Sequence, residues 1–508
     1  MARVVVIGAG IGGLTTAALL AHAGYRVTVL EAQTYPGGSA GTFYHKGYRF
    51  DAGATVAGGF HPHGPHTIIG ALLDMRWPVR QHEPAWVVHL PDRAIALTQD
   101  NADVLAKFPG TARFWDTQSR LADVGWKMSA QGMPWPPTST AEAAQLARVA
   151  LANFPADVRL APYLFSSVED WARRAGLGAD RAFRRFLDAQ LLISAQATAD
   201  RVNAVWGATA LDLARQGVYH VEGGIGGLAQ TLARKLEALG GEIVFRQRVT
   251  RIAVEGGRVT GVYARRGRHS RREEYFPADF VVANLTPHSL EQLLGEDSPA
   301  YLRRELARVS PGWGAFVLHL GIRAEGLPDG LPDHHQVIES MEGALGQGRS
   351  LFLSLSPSWD SSRAPVGYRA ATVTTHTHVR DWWDLLARDT QAYADRKAAY
   401  TERLLANIEQ AIPGFRGSIE VLLAGTPVTY QFFTGRHEGM VGGFPITSLF
   451  KARGPRTGLA NLLLVGDSIF PGQSTAGVSL GGLRVAREVQ RRLPLPAGVY
   501  QRPPVSHV

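Results

Sequence analysis

A glycine-rich turn near the beginning of the sequence has the residue types of a diphosphate-binding loop. Between the β-rich segment 3–7 and the apolar segment 14–23, which is typical of a helix, stand Gly8, Ala9, Gly10, Ile11, Gly12 and Gly13. A diphosphate needs a close approach of the backbone, which glycine permits, and a helix N-terminus whose unpaired N–H groups favour anions. The sequence therefore predicts that this turn binds a diphosphate.

An acidic residue completes the pattern. The segment 26–30 is typical of a second buried strand, and Glu31 follows it directly, with Ala32 beside it. In this position a carboxylate accepts hydrogen bonds from a ribose and disfavours a ribose that carries a 2′-phosphate. Because strand, glycines, helix, second strand and acid occur in order, we expect a bound dinucleotide, which at this point is either NAD or FAD.

Three later segments carry glycines or acids that could contact the same ligand. The first, soon after Glu31, contains Gly37, Gly38, Ser39 and Ala40, and the second, Tyr48 to Ala54, contains an F-D-x-G turn. In the third, the apolar segment 462–465 leads into Gly466 and Asp467, then into a turn at Gly472 and a helix from about Gly477 that includes Val478. A helix N-terminus stabilises negative charge, such as that of a reduced flavin.

These segments resemble the motifs of the phytoene-desaturase-related flavoproteins, which comprise carotenoid desaturases, carotenoid cis–trans isomerases and retinol saturases. The segment 466–473 is the most diagnostic part, and it is closer to the isomerases and late-acting desaturases than to amine oxidases. The resemblance extends over about 1–60, 217–285 and 460–493. It implies FAD as the cofactor. Ser39 stands where the family usually has arginine, so one charged contact to phosphate is missing.

The resemblance also implies which residues contact the FAD. The segment 37–40 supports the pyrophosphate and ribityl region, Asp467 approaches the same region from the other end of the chain, and the last helix faces the pyrimidine side of the flavin. The strand around Val249 passes the adenosine. The full set of expected contacts is Gly8, Ala9, Gly10, Ile11, Gly12, Gly13, Glu31, Ala32, Gly37, Gly38, Ser39, Ala40, Val249, Gly466, Asp467, Gly472, Gly477 and Val478.

The alternation of segment types predicts an α/β protein. We expect a discontinuous, Rossmann-like FAD-binding domain of the glutathione-reductase-2 or amine-oxidase-like type, interrupted by an α+β substrate domain. The predicted FAD-binding parts are 1–75, 217–290 and 456–495. The substrate parts are 76–216, which is mainly helical and could face a membrane, and 291–455. The residues 496–508 form a tail.

Composition excludes several kinds of site. The chain of 508 residues has no cysteine, which excludes disulfides, thiolate metal sites and cysteine-tethered flavin. The formal charge of +9 is not accompanied by a long basic tract, so we expect no nucleic acid partner. No apolar run approaches the roughly 20 residues that span a bilayer. We therefore expect a cytoplasmic protein that docks on the inner face of the cell membrane, where carotenoids partition.

Two other patterns could suggest further sites. The segment from Gly224 to Ala229 resembles a second dinucleotide fingerprint. However, no acid follows a paired strand at the expected distance. We therefore interpret the segment as a helix start near the flavin. The histidines His61, His63 and His66 lie among proline and glycine and favour a loop at the substrate entrance. We predict no metal site.

The predicted reaction is desaturation of a carotenoid by hydride transfer to flavin N5, as the resemblance implies. The preferred substrate is an acyclic, 1-hydroxylated end group that gains a 3,4-double bond, with oxygen or a quinone as electron acceptor. A carotenoid cis–trans isomerase that uses reduced FAD is the alternative. A non-enzymatic prenyl-binding protein of the GDP-dissociation-inhibitor type is the alternative of another class. The sequence does not identify catalytic residues.

Overall fold

The computed structural model describes residues 1–267, 270–309 and 312–496; all of the predicted tail except residue 496 lies outside these ranges. Its strands are β1 (Arg3–Ile7), β2 (Arg26–Leu30), β3 (Thr42–His45), β4 (Tyr48–Asp51), β5 (Val79–His82), β6 (Trp86–Leu90), β7 (Arg93–Leu97), β8 (Val218–Val221), β9 (Glu242–Val244), β10 (Gln247–Glu255), β11 (Arg258–Arg266), β12 (Glu273–Pro277), β13 (Phe280–Ala283), β14 (Trp313–Arg323), β15 (His334–Ile338), β16 (Ser350–Leu355), β17 (Tyr368–His378), β18 (Ile419–Gly425) and β19 (Leu462–Leu464).

The helices of the described residues connect these strands and cover the sheets. They are α1 (Ile11–His22), α2 (Pro65–Leu73), α3 (Ala102–Lys107), α4 (Ala112–Ala130), α5 (Thr140–Asn153), α6 (Val168–Arg174), α7 (Arg181–Ala195), α8 (Ala204–Ala210), α9 (Leu213–Gln216), α10 (Gly226–Ala238), α11 (Pro287–Leu294), α12 (Ala300–Leu306), α13 (Val379–Arg388), α14 (Thr390–Ala411), α15 (Pro427–Thr434) and α16 (Ser474–Arg492). None of them combines the length and the apolarity that crossing a bilayer requires.

A five-stranded parallel sheet forms the first layer, in the order β19-β13-β1-β2-β9. Valine, isoleucine and leucine make up most of these strands, because helices cover both faces of a parallel sheet. Helix α1 packs against α10 and α16, and the core of this layer joins residues from both ends of the chain. The predicted α/β class is confirmed.

A seven-stranded sheet forms the second layer, in the order β18-β14-β17-β16-β15-β6-β7. Helix α14 packs on one part of it, where Trp382 and Phe415 are fully buried. Strands β6 and β7 belong to the mostly helical segment 76–216, yet they extend a sheet whose other strands lie after residue 312. The two segments predicted to form the substrate domain therefore share one sheet.

The carboxylate of Asp51 connects the two layers. Its Oδ1 accepts hydrogen bonds from the backbone N–H of Ile225 at 2.9 Å and from the hydroxyl of Thr42 at 2.7 Å. Its Oδ2 accepts one from the Arg363 guanidinium at 3.0 Å, and both side chains are buried. A Cβ on Gly224 would lie 2.5 Å from Asp51 Oδ1. The N-terminus of α10 is thus capped by the protein itself, which explains why this second glycine pattern is not a nucleotide site.

We expect Asp51→Ala to lower the free energy of unfolding by about 3–5 kcal/mol, because the substitution leaves the buried Arg363 without its partner and removes the cap of α10. Denaturant titration followed by circular dichroism measures this loss. Glu420→Ala is the matched control, since Glu420 pairs with Arg323 at an exposed site. The control should change stability by about 0.5 kcal/mol or less. Equal effects of the two substitutions would contradict the role of Asp51.

Candidate active site

One large cavity opens at the carboxyl edge of the five-stranded sheet. It encloses about 1420 Å³ and extends from the glycine turn after β1 into the mostly helical segment 76–216, here called the helical layer. Residues from the first turn of the chain and from the segment 465–480 line the same space. The two ends of the chain therefore meet at one site, as the motifs predicted.

The N-terminus of α1 faces this cavity without a side-chain cap. Gly10 is the N-cap residue and provides no side-chain cap, and within the described ranges no side-chain hydrogen bond to the first N–H groups of the helix is present. Gly8 has φ of +92°, and a Cβ on Gly13 would lie 2.4 Å from the carbonyl oxygen of Gly8. The turn thus needs glycine for its conformation and for the contact of α1 with β1, and it leaves an anion-binding helix end open.

Asn284 supports this turn from the neighbouring strand. It follows β13, and its Nδ2 donates a hydrogen bond to the carbonyl oxygen of Gly8 at 3.3 Å. A Cβ on Gly10 would lie 2.5 Å from the same nitrogen. Sequence reasoning missed Asn284, although its position directly after a buried parallel strand was a usable signal.

Glu31 lies at the end of β2 and is buried, with 8% of its surface exposed. It accepts hydrogen bonds from the backbone N–H groups of Ala9 at 2.7 Å and Gln33 at 2.8 Å. Burial raises the pKa of Glu31, and these backbone bonds oppose the rise. The carboxyl group is therefore held in a fixed position at the cavity wall.

The C-terminal part of the site is built around an ion pair. Asp467 Oδ2 lies 2.8 Å from the guanidinium of Arg436, and Arg436 follows α15. After the turn at Gly472, the backbone takes left-handed conformations at two residues that are not glycine, with φ of +29° at Gln473 and +82° at Ser474. Strain of this kind is concentrated at functional sites. Helix α16 begins at Ser474, three residues before the predicted start at Gly477.

Most of the residues predicted to contact the cofactor line the cavity. They are Gly8, Gly10, Ile11, Gly12, Glu31, Ala32, Gly37, Gly38, Ser39, Ala40, Val249, Gly466, Asp467, Gly477 and Val478.

Ala9, Gly13 and Gly472 are not among the residues that line the cavity; they shape the turns behind it. Ala9 bonds to Glu31 and, through its carbonyl oxygen, to the N–H of Gly37. A Cβ on Gly472 would lie 2.6 Å from the carbonyl oxygen of Asp467. Tyr430 and Arg436, which line the cavity, were not found from the sequence, because they follow no local pattern.

The part of the cavity beyond the glycine turn is lined mainly by apolar side chains. Among the titratable groups there, burial lowers the pKa of His61, His319 and His376 to about 4. These imidazoles are therefore neutral at pH 7. His61 packs against Trp126, whereas His66 lies in the first turn of α2 rather than in the expected loop, and burial lowers its pKa to about 3.

The residues at the polar end fit a flavin dinucleotide. The open N-terminus of α1 suits a diphosphate, Glu31 suits a ribose, and the start of α16 offers N–H groups where a reduced flavin carries negative charge. The whole cavity, at about 1420 Å³, is larger than ordinary small-molecule pockets, which enclose about 300–1,000 Å³.

Comparison with known proteins agrees with this geometry. The family of flavin containing amine oxidoreductases matches residues 11–490. The chain is 30% identical to a chloroplastic prolycopene isomerase of Arabidopsis thaliana, over 96% of this chain and 82% of that one. It is 26% identical to a phytoene dehydrogenase of Streptomyces griseus, over 96% and 95% of the two chains.

A solved structure has the same fold. An oxidoreductase from Methanosarcina mazei superposes with a TM-score of 0.66 at 19% identity, covering 96% of this chain and 100% of that one. The predicted amine-oxidase-like type of the α/β fold is therefore confirmed. The family match makes a flavin the cofactor. The chain belongs to the flavin containing amine oxidoreductase family, within its phytoene-desaturase-related group, and is a flavin-dependent oxidoreductase.

Proposed function

We propose that this protein is an FAD-dependent enzyme that acts on an acyclic carotenoid. The observation that carries the proposal is the division of one cavity into two unlike halves. The half at the sheet edge presents an open helix N-terminus and Glu31, and the half in the helical layer is apolar. A flavin dinucleotide suits the first half, and a long polyene suits the second.

The apolar half matches a hydrocarbon ligand in its chemistry. Its wall comes from β6 and β7, from the helical segment 104–214 and from the segment 449–480, and it includes Trp86, Trp115, Met128, Leu146, Leu160, Phe186, Trp206, Phe352, Leu449, Phe450 and Phe470. The only carboxylates that line the cavity among the described residues, Glu31 and Asp467, lie at the flavin half. Because a polyene has no charge to satisfy, an uncharged wall avoids the cost of buried ions.

Two reactions fit this site. This chain is 30% identical to the prolycopene isomerase of Arabidopsis thaliana and 26% identical to the phytoene dehydrogenase. The higher identity favours cis–trans isomerisation with reduced FAD. Desaturation, specifically formation of a 3,4-double bond in a 1-hydroxylated end group, is the second candidate. The phytoene dehydrogenase supports it by matching over 95% of its own length. Desaturation removes two hydrogens and needs oxygen or a quinone as final acceptor, whereas isomerisation conserves mass.

The residues of the chain supply binding and exclusion of water in either reaction. FAD, when bound, supplies two-electron chemistry at its ring. The backbone at the start of α16 and the ion pair of Arg436 with Asp467 line the flavin half of the cavity, where they would hold the bound FAD. His319 and His376 stay neutral at pH 7 and place no charge next to the polyene.

Pigment analysis in a carotenoid-producing host tests the reaction. We expect expression to convert one acyclic carotenoid into a product of equal mass with altered absorption and chromatographic mobility, as isomerisation requires. A product lighter by two hydrogens for each new double bond would assign desaturation instead. Unchanged pigments in several hosts, with the flavin bound, would contradict the proposed substrate class.

Glu31→Gln tests the cofactor. We expect it to weaken FAD binding by about 10- to 100-fold, because a charged hydrogen bond contributes about 1.5–3 kcal/mol and 1.4 kcal/mol is a factor of ten. Titration of the flavin-free protein with FAD, followed by flavin fluorescence, measures the affinity. Glu255→Gln, at the exposed end of β10, is the control and should bind FAD normally. Wild-type protein without flavin absorbance after FAD is added would revive the prenyl-binding alternative.

The proposal includes docking on the inner face of the cell membrane. Exposed apolar side chains lie around the helical layer; they are Leu151, Phe154, Val158, Phe165 and Phe450. The rings of Phe165 and Phe450 stack at 5.1 Å, and Phe450 also lines the cavity. Arg148, Arg159 and Lys451 are exposed beside them in sequence. An apolar surface with basic neighbours at the cavity wall suits a bilayer that delivers the substrate.

The double substitution Phe165→Ser and Phe450→Ser tests this surface. We expect it to reduce binding to vesicles of mixed neutral and anionic lipid by about tenfold or more, because each exposed ring loses the roughly 1.5–3 kcal/mol that burial of an aromatic side chain provides. Vesicle co-sedimentation at low and high salt measures binding. Val366→Ser is the control, because Val366 is 98% exposed and does not belong to this surface. Equal binding of both variants would contradict the assignment.

A further inference from the structure

Three histidines from distant parts of the chain converge where the two-stranded sheet β5-β8 meets the seven-stranded sheet. His82 ends β5, His220 lies on β8, and His334 begins β15. One ring nitrogen of each lies within 4.8 Å of the other two. His220 and His334 are buried, with 6% and 2% of their surface exposed, whereas His82 is half-buried.

Among the described residues, the hydrogen bonds around these rings leave Nε2 of His82 and Nε2 of His334 without a partner. Nδ1 of His334 lies 2.9 Å from the hydroxyl oxygen of Ser354. Ser354 donates its own proton to Thr55, so its oxygen accepts from Nδ1. Nε2 of His334 therefore keeps its lone pair. Nε2 of His334 is buried and unpartnered.

The other two rings are held in the same manner. Nε2 of His220 lies 2.8 Å from a carboxylate oxygen of Asp333, which makes Nε2 the donor and leaves the lone pair on Nδ1. His82 bonds to the carbonyl of Pro84, and its Nε2 is buried without a partner. The cluster thus places the unpartnered Nε2 atoms of His82 and His334 beside the ring of His220, an arrangement that a cation would complete.

We propose that His82, His220 and His334 bind a zinc ion. Neutral imidazoles are the ligands that zinc takes at about 2.0–2.1 Å, and three of them with a water molecule make a complete tetrahedral shell. Asp333 orients His220 in the way that a carboxylate orients a metal-binding histidine. Binding would draw the nitrogens from within 4.8 Å of one another to the roughly 3.4 Å that this geometry requires, and it would turn the rings of His82 and His220, which stack at 4.2 Å, out of their stack.

The sequence hides this site because its ligands come from three separate segments. No two of them are closer than 114 positions in the chain, so no spacing pattern connects them. The prediction of no metal site considered the local run at 61–66, which the fold separates between a loop and α2. The proposed ion would join the ribbon β5-β8 to the larger sheet, and Ser354 and Thr55 connect it to the cavity wall.

Zinc binding by the full flavin-loaded chain tests the proposal. After treatment with a chelator, we expect the protein to take up one equivalent of Zn²⁺ that survives dialysis, measured by elemental analysis, and to melt at a higher temperature with zinc than without it. His334→Gln and the milder His82→Asn should each lose this equivalent. Asp333→Asn should weaken zinc affinity by about 10- to 100-fold, measured by competition with an indicator dye.

His378→Asn is the control, since His378 is exposed and stacks on Trp313 away from the cluster. It should bind zinc as the wild type does. Flavin absorbance and circular dichroism establish that each variant is folded. Wild-type protein that retains no zinc, or folded His334→Gln and His82→Asn variants that retain as much as the wild type, would overturn the proposal.

Discussion

The parallel register of the five-stranded sheet is the constraint on which the site depends. Because β1 pairs in parallel with both β2 and β13, and β13 with β19, every one of these strands ends at the same edge. The residues that follow them, Gly8, Glu31, Asn284 and Val465, are therefore brought together although they span almost the whole sequence. Helix N-termini come to this edge for the same reason. That of α1 stays open towards the cavity, that of α16 bonds one N–H, of Gly477, to the Ser474 hydroxyl, and that of α10 is occupied by Asp51.

Buried ion pairs make the connections between the first layer and the rest of the protein specific. Besides Asp51 and Arg363, the carboxylate of Glu142 on α5 pairs with Arg484 on α16 at 2.9 Å, with 0% and 9% of the two side chains exposed. A buried pair contributes little net stability, but separating its members is costly. If the parts joined by such a pair moved apart, one buried charge would be left without its partner in apolar surroundings. Because α16 also begins at the flavin half of the cavity, the pair with α5 ties the helical wall to the cofactor site.

Local motifs predicted the parts of the fold that local chemistry determines. The glycine turn, Glu31 and the segment 466–473 could be interpreted from the sequence because a phosphate, a ribose and a helix end each demand particular residue types at short spacing. The seven-stranded sheet could not, because the strand β6, which pairs locally with β7, also pairs with β15, more than 230 positions away. The ion pair of Arg436 and Asp467 and the support from Asn284 are also long-range contacts. They depend on which strand ends meet, and this is known only once the sheet order is known.

The sequence motifs do not distinguish isomerisation from desaturation, for a related reason. Apolar burial is worth roughly 25 cal/mol per Å² whatever the shape of the ligand, so it binds bent and straight polyenes alike. Discrimination between them must come from the shape of the wall, where displaced packing costs about 1–3 kcal/mol. That wall is built by Trp115 on α4, Phe186 on α7 and Trp206 on α8, together with Phe450 and Phe470. On the proposed function, the flavin-binding residues would hold the cofactor in either enzyme, and we expect these aromatic side chains to decide which double bond reaches it.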